Sequence, residues 1–218
     1  MNSLLINIHT HRKARLFNGI ELRNAYVPDP SKMTIRYPIS VGLHPWFITQ
    51  FSKQVLRERL ISLCQLPNCK AIGEIGLDNN YPNFSVQLAL FAWQVAIAKE
   101  LRMPVIIHQF KSHENLQKIL RNFPEPIILH GYNGSIEQWK QLNFFNNTYI
   151  SIGYNVLKPS KKLNNCIEAI PANRLFAETD QSNIKIETIY EQLALLKSEP
   201  IPLIVNQIHE NYNRIMPH

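Results

Sequence analysis

The sequence predicts an α/β fold, a single compact (β/α)₈ TIM barrel, and three observations lead to it. Eight short apolar runs rich in β-branched residues recur along the 218 residues. Helical patterns lie between most of the later runs, and strands that alternate with helices favour a parallel sheet. Polar, ionisable side chains follow several of the runs, as at the carboxyl ends of barrel strands.

The predicted strands are short and mostly apolar, which is typical of strands in a buried sheet. The first, Leu-Leu-Ile-Asn-Ile, contains two β-branched isoleucines in five residues. The eight predicted strands cover residues 4–8, 20–27, 39–43, 70–75, 105–108, 127–130, 149–152 and 175–178.

Seven helices are predicted from apolar residues that recur at close to the helical period. They cover residues 54–64, 86–101, 112–122, 135–143, 161–170, 186–196 and 201–216. Residues 12–38 lack this rhythm, and Pro28, Pro30 and Pro38 favour loops there. We therefore expect the first one or two crossover helices to be shortened or missing.

The composition is that of a globular protein, with 45% hydrophobic and 18% charged residues. No linker, repeat or low-complexity tract divides the chain, so residues 1–218 are expected to form a single domain. The three cysteines form no Cys-x-x-Cys pair, which favours a reducing compartment. Without a leader pattern or a long apolar stretch, we expect a cytoplasmic protein.

The charge balance favours a negatively charged partner. The 23 Lys and Arg residues exceed the 16 Asp and Glu residues and give a net charge of +7. Nucleic acid and phosphorylated metabolites are partners of that kind. No dense run of basic residues marks a separate binding arm.

Two histidines follow the first predicted strand, in the sequence Ile-Asn-Ile-His9-Thr-His11. Side chains on a strand repeat every two residues, so both imidazoles should face the same side of the sheet. Such a pair can hold a metal ion. A His-x-His pair alone is more often a chance feature of a surface, so the prediction depends on the other strand ends.

Five further strand ends carry histidine, glutamate or aspartate. Each residue alone has an ordinary explanation, as a rim histidine, an ion pair with lysine or a helix cap. In a parallel barrel, however, these ends open onto one face, and ionisable groups are seldom buried unless paired or bound to metal. Together the six strand ends therefore predict a metal site at one rim of the barrel, where their ionisable side chains converge.

The motifs occur in a fixed order and cover nearly the whole chain. They are His9-Thr-His11, Gly42-Leu-His44-Pro45, Ala71-Ile-Gly-Glu74-Ile-Gly-Leu-Asp78, Pro104-Val-Ile-Ile-His108, His130-Gly-Tyr-Asn-Gly134 and Glu178-Thr-Asp180. This series resembles the signature blocks of the TatD-type metal-dependent deoxyribonucleases, a branch of the amidohydrolase superfamily. The block that ends at Asp78 is long enough to be specific by itself.

The resemblance implies a (β/α)₈ barrel that holds two adjacent divalent metal ions. By matching position, the first ion would be bound by His9, His11 and Asp180, with Glu74 bridging both ions and His108 and His130 binding the second. Imidazole and carboxylate ligands suit Zn²⁺ or Mn²⁺, whereas Mg²⁺ prefers more oxygen ligands.

The implied activity is that of a phosphodiesterase, an exonuclease-like deoxyribonuclease with DNA as its substrate. Two metal ions lower the pKa of a bound water and hold a phosphate through its oxygens. Asp180 would accept the proton of the attacking water, with Glu74 as the second catalytic carboxylate. His44 would touch the scissile phosphate, orient a ligand or be structural. Trp46 would pack against its neighbours or stack on a base.

The chain departs from the family pattern around the substrate rather than at the presumed ligands. Asn7 stands where the family usually has aspartate, and residues 109–111 and 181–183 differ in the two loops that follow His108 and Asp180. Two other functions remain open. The same site could cleave an ester or amide, for example in an aminoacyl-tRNA or a small metabolite, or it could stabilise a non-catalytic binding subunit.

Overall fold

Eight parallel strands, hydrogen-bonded in chain order, form the central sheet of the molecule. The computed structural model describes residues 4–12, 18–27, 37–47, 53–143 and 146–217. The strands are β1 (Leu5–Thr10), β2 (Gly19–Tyr26), β3 (Ile39–Gly42), β4 (Cys69–Asp78), β5 (Val105–Phe110), β6 (Ile127–Leu129), β7 (Thr148–Ile152) and β8 (Leu175–Ala177). All eight predicted strands are present, and the prediction of a parallel α/β barrel is confirmed.

Seven α-helices alternate with the later strands, as predicted. They are α1 (Lys53–Cys64), α2 (Phe84–Leu101), α3 (His113–Leu120), α4 (Ile136–Leu142), α5 (Lys161–Ala169), α6 (Ile186–Lys197) and α7 (Ile201–Ile215). The described residues between β1 and β3 contain no helix, while residues 13–17 and 28–36 lie outside the described part. In the described ranges no helix is both long and apolar enough to cross a membrane.

The barrel closes where β1 meets the segment that follows β8. The backbone N–H of Asp180 donates to the carbonyl of His9 at 3.1 Å, and the N–H of His11 donates to the carbonyl of Asp180 at 3.2 Å. The buried Asn7 amide donates to Thr179 Oγ1 at 2.9 Å and accepts from the Thr179 N–H at 3.0 Å. A carboxylate could accept but not donate there, so the amide of Asn7 ties both groups of Thr179 across the seam.

Three fully buried side chains each bond both the backbone N–H and the backbone carbonyl of one residue in or just after a strand. The Tyr190 hydroxyl, on α6, accepts from the Ile6 N–H and donates to the Ile6 carbonyl, both at 3.0 Å. Gln94, on α2, bonds the N–H and carbonyl of Leu43 at 2.8 and 3.1 Å. Because a buried N–H or carbonyl without a partner is costly, these contacts hold the strands in place.

The third of these side chains, Gln87, lies two turns before Gln94 on α2. It accepts from the Asp78 N–H at 2.8 Å and donates to the Asp78 carbonyl at 3.0 Å. Residues seven positions apart lie on one side of a helix. Helix α2 therefore binds the ends of two strands. Gln87 holds the end of β4 at Asp78, and Gln94 holds Leu43, the residue before His44.

A glycine near Asp78, Gly76, allows β4 and β5 to approach each other closely. Gly76 has a φ of +144°, and a β-carbon at that position would overlap the carbonyl oxygen of His108. Any other residue would push the two strands apart. This close approach places the side chains of Glu74 and His108 on neighbouring strands within hydrogen-bonding distance.

We predict that Tyr190→Phe lowers the free energy of unfolding by about 2 kcal/mol or more, because it leaves a buried N–H and a buried carbonyl of Ile6 without a partner. Urea unfolding at neutral pH measures the change. Tyr212→Phe is the matched control, since the Tyr212 side chain is also largely buried and its hydroxyl makes no hydrogen bond among the described residues. Equal losses in the two variants would contradict the role of Tyr190.

Candidate metal centre

The predicted site residues all lie at the carboxyl ends of the strands. His9, Glu74 and His108 lie within β1, β4 and β5. The other four lie one to three residues beyond the ends of β1, β3, β6 and β8: His11, His44, His130 and Asp180. The structure brings together every residue that the sequence nominated: His9, His11, His44, Glu74, His108, His130 and Asp180.

The Glu74 carboxylate lies at the centre of the group, and the residue is only 3% exposed. Its Oε2 lies 3.4 Å from Nε2 of His9 and 2.9 Å from Nε2 of His11. Both imidazoles of β1 thus face the same side, as the alternation of side chains on a strand predicts. The other oxygen, Oε1, lies close to three further ring nitrogens: His44 Nε2 at 3.0 Å, His108 Nδ1 at 3.1 Å and His130 Nε2 at 2.8 Å.

Asp180 lies at the open edge of this cluster. Its Oδ1 is 3.4 Å from His11 Nε2 and 3.8 Å from His9 Nε2, and its side chain is 39% exposed. The residue has a φ of +48°, a left-handed conformation that aspartate tolerates better than most residues. Asp180 therefore combines contact with the β1 imidazoles and access from solvent.

The electrostatics of the cluster favour an ionised carboxylate. Burial alone would raise the pKa of Glu74, but the charge of His130 and hydrogen bonds from His108 and His11 hold that pKa well below its usual range. Burial likewise opposes a charge on His130, yet Glu74 and Glu178 raise its pKa well above the usual range. Attraction between charges outweighs desolvation in both groups.

His44 shows the opposite balance. Burial lowers the pKa of its imidazole, and the hydrogen bond with Glu74 offsets only part of that effect. A neutral imidazole is the form that binds a metal ion or shares a hydrogen bond.

Two carboxylates stand behind the histidines of β5 and β6, and sequence reasoning gave neither of them a definite role. Asp78 Oδ2 lies 3.3 Å from Nε2 of His108. Glu178 Oε1 lies 3.3 Å from Nδ1 of His130 and accepts the Gly131 N–H at 2.8 Å. Their positions in the sequence could have indicated a role at the site, because Glu178 lies two residues before Asp180 at one strand end and Asp78 is the last residue of β4.

The donor set fits a divalent metal ion. His9 is fully buried, yet neither of its ring nitrogens has a hydrogen-bond partner in the part of the chain that the structure describes. Buried polar atoms normally have a bonding partner, and a metal ion would supply one here. Three groups of ligand atoms lie within 4.8 Å of one another: His9, His11 and Asp180; His9, Glu74 and His130; His44, Glu74 and His108.

The rim around the cluster is open and partly aromatic. Trp46 stacks on Tyr81 with ring centres 4.7 Å apart and an angle of 12° between the planes, and both side chains are exposed. The Trp46 ring also lies 5.6 Å from that of His108. On the other side, cavities of about 630 and 390 Å³ adjoin His130 and Asp180, respectively.

Comparison with known proteins agrees with this geometry. Residues 31–217 match the family model of the TatD related DNases. An uncharacterized metal-dependent hydrolase of Haemophilus influenzae is 26% identical over 213 residues, which cover 82% of this chain and 78% of that protein. The 3'-5' ssDNA/RNA exonuclease TatD of Escherichia fergusonii is 31% identical over 206 residues, which cover 88% and 77%.

Other similarities show the fold or a shorter match. The exonuclease TatD of Enterobacter lignolyticus is 33% identical, but the match covers only 56% of that protein. The crystal structure of the TatD homologue YjjV from Escherichia coli superposes with a TM-score of 0.85 over 99% of both chains at 22% identity. The family model covers most of this chain, and the chain belongs to the TatD related DNase family of metal-dependent hydrolases.

Proposed function

We propose that this protein hydrolyses phosphodiester bonds in single-stranded nucleic acid, DNA in particular, and acts from a chain end. The observation that carries the proposal is the buried Glu74 carboxylate, which five imidazoles surround, with the partly exposed Asp180 at the open edge of the cluster. The relatives that are named ssDNA/RNA exonucleases support a nucleic acid as the substrate.

We assign two divalent ions to the cluster, with Zn²⁺ or Mn²⁺ favoured by the imidazole ligands. By the family resemblance, His9, His11 and Asp180 would hold the first, Glu74 both, and His108 and His130 the second. The first three also form one of the ligand groups described above. When bound, such ions lower the pKa of a coordinated water and neutralise charge on phosphate oxygens.

The carboxylates behind the ligands fix which ring nitrogen is free. With a metal ion bound, Nε2 of His108 would keep its proton and donate it to Asp78, and Nδ1 would offer its lone pair on the Glu74 side. Nδ1 of His130 would likewise donate to Glu178, and Nε2 would offer its lone pair on that side. Carboxylates that hold a metal-binding histidine in this way set its tautomer and raise its basicity.

Asp180 is the group best placed to accept a proton from the attacking water. Its carboxylate is partly exposed and lies beside the imidazoles of β1, whereas Glu74 is buried and occupied by five of them. Nε2 of His44 lies 3.0 Å from Glu74 Oε1 at the same rim. We propose that the His44 imidazole contacts the scissile phosphate and also holds Glu74 in position.

The aromatic rim supports a polymeric substrate. Exposed Trp46 and Tyr81 form a stacked pair beside the cluster, and stacking of a base on an aromatic ring contributes about 1–3 kcal/mol.

We further propose that the chain acts as one domain. The three free thiols support a reducing compartment such as the cytoplasm.

The proposal predicts metal-dependent cleavage of single-stranded DNA. Protein loaded with Mn²⁺ or Zn²⁺ should shorten an end-labelled oligonucleotide, and excess chelator should stop the reaction. The assay compares single-stranded DNA, duplex DNA, RNA, an aminoacyl ester and a simple chromogenic phosphodiester. Cleavage of the ester alone would replace the proposed reaction with ester hydrolysis, and inactivity on all five substrates would reject a hydrolytic role on these bonds.

We predict that Asp180→Asn lowers kcat on single-stranded DNA by about 10²–10⁴-fold, because the amide cannot accept the proton of the water. Thermal unfolding should show an intact fold. Glu187→Gln, which removes an exposed carboxylate at the start of α6, serves as control and should retain activity. A near-normal kcat in Asp180→Asn would refute the assignment of the base.

We predict that Asp78→Asn weakens metal binding by about 10–100-fold, since an amide no longer orients His108 as a carboxylate does. Titration of metal-free protein with Mn²⁺ in a calorimeter measures the affinity without reference to activity. Glu114→Gln removes an exposed carboxylate on α3 and should leave the affinity unchanged. Equal affinities in the two variants would show that Asp78 has no part in the metal site.

A further inference from the structure

A large polar cavity adjoins the cluster on the side of His130. It has a volume of about 630 Å³, within the range of ligand sites, and loops after β5, β6 and β7 form its walls. We call it the lysine cleft and define it by Phe110, Lys111, Asn133, Asn155 and Lys162, which line it. Because His130 also lines it, a molecule bound in the cleft would be continuous with one bound at Glu74.

The charge in the lysine cleft favours an anion. Lys111 and Lys162 are both exposed, and neither lies within 4 Å of a carboxylate in the described ranges. Glu114 is the one acidic residue among those that line the cavity. Two unpaired ammonium groups in a concave site raise the local concentration of phosphate groups.

The remaining lining groups suit a nucleoside. The Phe110 ring is 43% exposed, and the Lys111 ammonium lies 5.5 Å from its centre. Lys111 has a φ of +48°, a left-handed conformation that is uncommon for lysine. The amides of Asn133 and Asn155 offer donors and acceptors to a sugar or a base edge.

We propose that the lysine cleft holds the nucleotide next to the scissile bond, with Lys111 and Lys162 on its phosphate and Phe110 against its base. The proposal rests on the proposed phosphodiesterase function and gives that site its preference for an oligonucleotide over a small diester. The cleft sets how a longer substrate is bound, and the cluster at Glu74 sets how the bond is broken.

The first test compares a single-stranded octanucleotide with bis(p-nitrophenyl) phosphate, which has no second phosphate group for the two lysines to bind. In Lys111→Gln and Lys162→Gln, kcat/KM for the octanucleotide should fall by about fivefold or more beyond any change for the small diester. Lys118→Gln, an exposed lysine of α3 outside the cleft, is the matched control and should leave the ratio unchanged. Equal losses on both substrates would overturn the proposal.

The second test measures binding without catalysis. Fluorescence anisotropy with Asp180→Asn and a labelled octanucleotide gives affinity as a function of salt concentration. Each lost phosphate contact should reduce the slope of log K against log salt by about 0.7. Unchanged affinity and slope in the lysine variants would overturn the lysine cleft. Failure to cleave any phosphodiester would instead reject the proposed function, and the binding result would still stand.

Discussion

The contact between one buried carboxylate and five imidazoles is the constraint on which the rest of the structure depends. Removing Glu74 from water is costly unless charged or hydrogen-bonding partners surround it. Those partners come from β1, β5 and the segments after β3 and β6, so these strand ends must converge to within about 3 Å of the carboxylate oxygens. Each unusual feature of the barrel nearby serves that convergence.

Strands that leave a sheet to form a site lose hydrogen-bonding neighbours, and this barrel replaces them with side chains from the outer helices. Tyr190 supplies both partners of Ile6, while Gln94 and Gln87 do so for Leu43 and Asp78. Leu43 directly precedes His44, Asp78 contacts His108, and Ile6 lies three residues before His9 on the same strand. The helices therefore do more than cover the sheet, because their buried polar groups fix the register of the strand ends that hold the cluster.

Strand positions and the seven clustered residues could be predicted because both depend on short-range patterns: apolar runs, two-residue alternation and polar groups at strand ends. Contacts between distant residues could not be predicted in this way. Asn7 and Thr179 are 172 positions apart, and only the closed barrel brings their donor and acceptor atoms together. The positions of Asp78 and Glu178 behind the histidines depend on the rotamers of the side chains, which the sequence does not show.

The rim and the cluster are physically linked. The exposed Trp46 indole donates to Asp78 Oδ2 at 2.7 Å, and the same oxygen lies 3.3 Å from Nε2 of His108. Burial would raise the pKa of Asp78, but the Trp46 hydrogen bond and His108 lower it, which keeps the carboxylate charged. A base that stacks on Trp46 would thus rest on a side chain that also helps to orient His108. Loops around the rim can change substrate preference without altering the cluster, except at Trp46, where a change would reach the proposed metal site through Asp78.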